Sequence, residues 1–533
     1  MTEVKSKNPY DEFPYPHLTH SHTHPERMET LASMLGMKPA PADNCRVLEL
    51  GCAAGFNLFP MAYALPGSHF TGLDYSSVQI DYGLDRLKEI ELANVELRCM
   101  DIMDIQADLG LFDYIIVHGL YSWVPDAVRD QIMVVCRQNL APEGIAYISY
   151  NTYPGWSMMG MVRGMMQYRV RDIELPMEKA YEARQLIEFL SEAIGTKDSA
   201  YGAYLATYLE LIRKKRTGSK VQDDTLILHD ELEEFNEPVY FYQFVDHASG
   251  NGLQYLVESD FSTVIPSKFP PEVGDHIRQI SQNTVDMEQY LDFLNFRTFR
   301  RTLLCHKEID VNRMLGPKAV FDLHLLTRAR LVTDGPEDLA ENLTQFRGQD
   351  GANFTTDHPL TVAAFIYLER TYPRASSFRE LIEASLNEVS LDDGESITEH
   401  ATLVAANFLR AYSYSDSLVE FHMRQPNIAV EISDMPEASM IARWQLDYMV
   451  KVTNVRHVRV ELDDLSRRLL RYVDGKHNRE ELIDVLTRDY QQGKFELEVE
   501  ESPEASTANI RELLTENIDK HLQFFSRASL LIA

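Results

Sequence analysis

From Arg46 onward the chain alternates short apolar runs with stretches whose apolar residues recur at helical spacing. The runs are Arg46–Leu50, His69–Asp74, Val95–Met100, Phe112–His118 and Gly144–Tyr150; Ser76–Glu91 and Asp126–Asn139 are the clearest helical stretches between them. Continuous apolar strands separated by helices predict a parallel sheet covered on both faces, hence an α/β fold. Ahead of it, Pro25 opens a predicted helix with Met28, Leu31 and Leu35 on one face. After Trp156 the pattern is helical through about residue 225, an insertion over the site end of the sheet that suits a lid or a dimer contact. The sheet pattern resumes at Val239–Glu258, with a strand at Leu253–Val257, and Met287–His306 reads as one amphipathic helix.

The C-terminal half carries an internal echo. Residues 358–386 and 463–490 both run from a helix through a turn into a second helix bearing "RELI" or "EELI", and each is followed later by a third helix and a closing apolar run, "DSLVEFH" or "RASLLIA". Two winged-helix-like modules are predicted, at 331–440 and 441–533. The acid-rich second helix of the later module argues against DNA and for protein recognition or scaffolding. Residues 495–509 read as an acidic loop without chemistry.

In a parallel sheet, ligands bind beyond the carboxyl ends of the strands, so the candidate residues are collected there. The first strand ends in "LELGCAAGFN", with Glu49, Gly51, Cys52, Gly55 and Asn57. A glycine loop opening a helix lets backbone N–H groups approach a ligand closely. The spacing is E-x-G-x-x-x-G rather than the G-x-G-x-x-G of a dinucleotide site. Glu49 would repel a pyrophosphate and hold a cation, which points to S-adenosylmethionine as cofactor. The second strand ends at Asp74 and Tyr75, with Asp74 placed for ribose hydroxyls, and the third at Asp101 and Ile102, placed for an adenine. The fourth delivers His118, Gly119, Tyr121 and Trp123, and the fifth Tyr153 and Trp156. Two of the chain's three tryptophans fall in these two loops. They either line an aromatic slot for an amine, through cation–π attraction, or pack on each other.

Composition narrows the partners. The chain has 533 residues, too many for one core, with 44% apolar and 25% charged residues. Its net charge of −31 disfavours nucleic acid and fits either a cationic partner such as a lysine-bearing protein segment or simply a solvated acidic surface. The five scattered cysteines fit core thiols in a reducing compartment. No leader-like apolar region opens the chain and no run reaches membrane-spanning length, so a cytoplasmic protein without membrane insertion is expected. His17, His20, His22 and His24 form a histidine-rich arm, but without accompanying cysteine or a helical i, i+4 pair no metal site is assigned.

The motifs "VLELGCAAG", "GLDYS", "CMDIMD" and "HGLYSWVP" together resemble class I S-adenosylmethionine-dependent methyltransferases. The pair "EFNEPVYFYQFVDHASGNGLQYLVESDFS" and "MEQYLDFLNFRTFRRTLLCH" is similar to a methyltransferase regulatory domain. With "YDEFPYP…THPER" at the start, the whole chain resembles bacterial methyltransferases acting on lysines of outer-membrane proteins. The resemblance implies a Rossmann-like sheet with a helical insertion, followed by mainly helical C-terminal domains that include winged-helix-like modules. Its domains would be an arm at 1–44, a core at 45–156 and 226–260, the insertion at 157–225 and the rest of the regulatory region at 261–330, ahead of the two modules. It further implies transfer to lysine ε-amines of a protein substrate, a homodimer, and a substrate cleft between the core and the later domains. Tyr10, Tyr15 and His20 of the arm would close over the cofactor, and His118, Tyr121, Trp123, Tyr153 and Trp156 would surround the amine. A small-molecule acceptor and a cofactor-sensing protein without turnover are the alternatives.

Overall fold

The computed structural model describes Asp11 and residues 13–194, 199–215, 224–332, 343–389, 396–495 and 507–532. Five parallel strands form where apolar runs predict them: β1 (Arg46–Leu50), β2 (His69–Asp74), β3 (Val95–Cys99), β4 (Phe112–Val117) and β5 (Leu140–Asn151). Two more strands, β6 (Leu253–Glu258) and β7 (Phe299–His306), complete a seven-stranded sheet of order β3-β2-β1-β4-β5-β7-β6. The Rossmann-like α/β expectation holds, with one correction. The sheet is mixed rather than wholly parallel, because β7 enters antiparallel between β5 and β6.

Helices cover both faces. In chain order they are α1 (Pro25–Met34), α2 (Leu58–Ala64), α3 (Ser77–Ile90), α4 (Asp126–Asn139), α5 (Trp156–Val170), α6 (Pro176–Ile194), α7 (Ala200–Lys215), α8 (Phe241–Gly250), α9 (Pro271–Ile280) and α10 (Thr284–Asn295). Alternation along each strand sorts its side chains. Val47, Phe70, Leu97, Tyr114 and Ile116 face α1 and α2, whereas Leu48, Leu73, Ile115, Val117 and Ile148 face α4 and α8. The first of these cores continues without a break into the middle module, through Phe365, Leu381 and Phe408. The helices α5, α6 and α7 enclose a core of their own, with Met159, Met166, Ala183, Ile187 and Tyr208, so the methionines of α5 serve partly as packing.

Two predicted elements differ. Residues 241–250 within the expected strand region form α8, because Gln243 returns a side-chain bond to the Tyr240 N–H and starts a helix there. Met287–His306 is not one helix. The helix α10 stops at Phe296, which sits at φ +49°, and β7 follows. A short run such as "TLLCH" carries no period that separates a buried helix turn from a buried strand. Arg300 near its start is a core residue. Its side chain is fully buried, pairs with Glu258 (3.0 Å), Glu288 (3.1 Å) and Asp292 (2.8 Å), and lies 3.5 Å over the Phe241 ring.

Past the sheet, α11 (Pro359–Thr371), α12 (Phe378–Leu386) and α13 (Ile397–Tyr414) stand beside a small sheet of His324–Leu326, Ser376–Ser377 and Glu420–His422. The last module contains α14 (Met440–Gln445), α15 (Asp464–Tyr472), α16 (Arg479–Gln491), α17 (Thr507–Arg527) and the hairpin Lys451–Thr453/Arg459–Glu461. The echoed helix pairs are α11–α12 and α15–α16. Most of the acidic loop expected at 495–509 lies outside the described residues. Among the described residues no helix is long and apolar enough to cross a membrane.

The helix α1 ties the sheet to the middle module. Glu26 pairs with His422 (3.1 Å), Arg27 with Asp416 (3.6 Å) and Glu29 with Arg424 (2.8 Å). Burial alone would lower the His422 pKa, but Glu26 and Glu420 outweigh it and push the imidazole up to about 9. A histidine raised on folding stabilises fully below its unfolded pKa of about 6.5, and that contribution is lost as pH climbs through 9. Denaturant unfolding should therefore show of order 3 kcal/mol of stability lost between pH 6.5 and 9, with the slope flattened in His422→Asn. Arg300→Leu strands three buried carboxylates, and urea unfolding should register a loss of about 3–5 kcal/mol.

Candidate active site

The loop after β1 is fastened to the strand beside it. The N–H groups of Gly51 and Cys52 both donate to the Leu73 carbonyl, at 2.8 and 3.1 Å. Gly51 and Gly55 lie at φ +73° and +79°, in the left-handed region where a side chain is strained. At Gly55 an added Cβ would also press within 3.0 Å of Leu97. Cys52 is buried against Gly72 and its thiol is raised well above the ordinary range by burial, so it packs rather than reacts.

Asp74 folds back onto this loop. Its two carboxylate oxygens accept from the Ala53 N–H (2.8 Å) and the Ser76 N–H (2.9 Å), leaving further lone pairs on each. Burial raises its pKa. The Ser76 hydroxyl in turn donates to Asp11 at 2.6 Å. Tyr75 beside it is 60% exposed. Asp101 accepts from the Met103 N–H at 2.9 Å, which holds the Ile102–Asp104 turn, and Ile102 packs half-buried at the edge of the core.

Glu49 is the carboxylate at the centre. It is 3% exposed; one oxygen accepts from the Asn57 amide at 2.8 Å and the other, Oε2, has no partner. Burial pushes its pKa up to about 7, helped by nearby Asp74 and opposed by the Asn57 bond. An orphaned buried carboxylate oxygen is an acceptor in want of a cationic or N–H donor. Across from it, Gly119 sits at φ +66° with open space where a Cβ would be, and its N–H donates to Ser149 at 2.8 Å. The donor-poor, carboxylate-lined cradle suits the ammonium, sulfonium and ribose hydroxyls of S-adenosylmethionine and would repel a phosphate.

The arm crosses this cradle. His229 bonds the Phe13 carbonyl (2.7 Å), Tyr15 donates to Asp230 (3.4 Å), and His17 stacks on Phe56 at 3.8 Å. The His20 ring lies 3.7 Å from that of His118, whose Nδ1 is 2.9 Å from the Tyr147 hydroxyl. Burial holds both imidazoles neutral, with His118 lowered to about 3. His17 and His20 thus pack on different rings, His24 lies against His457, and no metal-holding group occurs among the described residues. Tyr10 lies outside the described residues.

The five residues expected around an amine fall into three settings. His118 belongs to the histidine pair just described. Tyr121 is 2% exposed, contacts Phe244 and Tyr150, and shares a 2.8 Å bond with His247. Trp123 and Trp156 meet edge to face at 6.3 Å in the core of the helical insertion, with Tyr153 beside them against Tyr240 at 5.2 Å. Of the two readings for the tryptophans, mutual packing is therefore present, with Trp123 and Tyr153 half-buried and Trp156 buried. Sequence reasoning missed one site residue altogether: His457, whose Nε2 lies 3.0 Å from Asn57 Oδ1. It is 400 positions from its partner, and nothing local marks it.

Residues 41–183 match a methyltransferase domain, residues 223–306 a predicted methyltransferase regulatory domain, and residues 434–530 the PKMT C-terminal winged helix domain. The regulatory match contains both β6 and β7, so that region is woven into the sheet. An uncharacterized protein of Rickettsia prowazekii is 32% identical across 97% of this chain and 93% of its own length. A second one from that organism is 35% identical over 48% of this chain and all of its own. The structure of PKMT2 from Rickettsia typhi superposes with a TM-score of 0.85 at 26% identity, covering 98% of this chain and 100% of that one, and it is also known in complex with AdoHcy. The methyl donor is S-adenosylmethionine. Cradle, sheet order and full-length likeness agree, and the chain belongs to the class I S-adenosylmethionine-dependent methyltransferases that join a methyltransferase domain to a regulatory domain and a PKMT winged helix.

Proposed function

We propose that this enzyme methylates lysine ε-amines of a protein, with a bacterial outer-membrane or surface protein as substrate, and that it works as a cytoplasmic homodimer. The observation that carries the reading is the end-to-end likeness to PKMT2, winged helix included, since small-molecule acceptors need no such appendage. The net charge of −31 supports a lysine-bearing partner. In this reading Glu49, Asp74 and Asp101 bind the cofactor, with Gly51, Cys52, Gly55, Asn57, Tyr75, Ile102, His118 and Gly119 shaping the cradle and Tyr15 and His20 closing it. S-adenosylmethionine supplies an electrophilic methyl group. The protein must present a neutral amine to it, although a free lysine titrates near 10.4. Aromatic walls from Tyr153 and the Trp123–Trp156 pair would desolvate the ammonium and favour its neutral form, without a dedicated base.

Incubation with labelled S-adenosylmethionine and a panel of lysine-rich outer-membrane protein fragments, followed by peptide mapping, should place the label on lysine. Label confined to a small-molecule fraction would end the protein-lysine reading, and cofactor binding with no acceptor at all would favour a sensor. Asp74→Ala removes a charge-assisted set of bonds of about 1.5–3 kcal/mol, so calorimetry should show S-adenosylmethionine binding weakened about ten- to hundredfold. An unchanged dissociation constant would remove Asp74 from the cradle.

A further inference from the structure

The winged-helix module packs on the methyltransferase domain through Trp444 and Tyr448, which meet Phe56 and Glu89, and through His457, which reaches the loop after β1. The hairpin Lys451–Thr453/Arg459–Glu461 turns through residues 454–458, and that turn is fixed from several sides. Asn454 accepts with its side-chain oxygen from the Arg456 and Val458 N–H groups (3.0 and 2.9 Å) and donates from its side chain to the Ala528 carbonyl (2.8 Å). The Val455 N–H donates to the Ser529 carbonyl. This framework holds His457 at φ +60°, a left-handed conformation costly for a side chain of its size. The result is an imidazole that is 1% exposed and pressed against the loop after β1.

The hydrogen bonds there define one arrangement. Asn57 is 5% exposed; its Oδ1 receives the His20 backbone N–H at 2.9 Å, which identifies that atom as the oxygen. His457 Nε2, 3.0 Å from the same oxygen, must then be the donor. The Asn57 amide nitrogen gives its two hydrogens to Glu49 Oε1 (2.8 Å) and Thr23 Oγ (3.1 Å). All four hydrogen-bonding positions of the amide are filled. His457 is held neutral by burial, with Nδ1 unprotonated and without a partner. What remains open is Glu49 Oε2, buried and unpartnered beside the loop.

We propose that His457 is a positioning residue for S-adenosylmethionine: by holding the Asn57 amide it orients Glu49, so the last module of the chain completes the cofactor site. The winged helix is then part of the catalytic domain's binding apparatus, in addition to whatever its outer surface contacts. Losing the His457 bond leaves Asn57 Oδ1 with one donor and frees the amide to turn away from Glu49. The inference rests on the reading that Glu49 and Asp74 belong to the cradle.

Both layers can be tested by calorimetric titration of the full chain with S-adenosylmethionine. Asparagine adopts the left-handed conformation readily but is too short to reach Asn57, so His457→Asn deletes the bond while keeping the turn. Glutamine retains an N–H donor near the position of Nε2. His457→Asn should weaken binding about five- to thirtyfold and His457→Gln should recover most of it, within about threefold of the parent. If Asp74→Ala weakens binding while His457→Asn binds like the parent, the role of His457 is refuted and the cradle stands. If Asp74→Ala also binds like the parent, the cradle reading itself falls. A second measurement needs no variant: by reciprocity, saturating S-adenosylmethionine should slow amide exchange across residues 454–458 of the parent chain. Unchanged exchange there would overturn the proposal even if His457→Asn failed to fold.

Discussion

One carboxamide holds three separate parts of the molecule in register. Asn57 stands at the start of α2, and its amide touches the arm at His20 and Thr23, strand β1 at Glu49, and the last module at His457. A buried amide with every position satisfied is stable, whereas one left half-satisfied costs the desolvation of each unmet group. The three segments therefore favour a single mutual placement. The orientation of Glu49 and the seating of the arm at His20 and Thr23 are tied to it.

Buried charge sets the second constraint. Arg300 with Glu258, Glu288 and Asp292 joins β6, β7 and α10, while Glu26, His422, Glu420 and Arg456 join α1 to both later modules. Such clusters seldom stabilise a fold as well as packed apolar groups would. They penalise misplaced neighbours heavily, however, and these two sit where separate units of the chain meet. The Arg300 cluster fastens the antiparallel strand: β7 places that guanidinium within reach of carboxylates from β6 and α10.

The strands that bear the cradle were readable because their burial is two-sided and their sequence is correspondingly apolar. The glycine loop, Glu49, Asp74 and Asp101 followed from the rule that strand ends carry the chemistry. Where local composition and tertiary role parted, the reading failed. "TLLCH" looked like the end of a helix and is part of strand β7, and "VYFYQF" looked like a strand and is largely helix α8. The Tyr121 hydroxyl bonds His247, a partner that its own loop does not announce. His457 carries no local signature, because its meaning lies in a left-handed turn 400 residues from its partner.

The strap formed by α1 and the arm has a bearing on how the enzyme comes into being. Residues made first find their partners among those made nearly last: Thr19 meets Thr453, Glu26 meets His422, and Arg27 meets Asp416. Contacts of such sequence separation form slowly, since a long loop must close before they return any energy. On a ribosome the sheet can begin to assemble as its strands emerge, but its arm must wait, tethered and unsatisfied, for the modules that will hold it. On the proposal that His457 completes the cradle, the site for the methyl donor would be finished only near the end of synthesis, when the last module emerges.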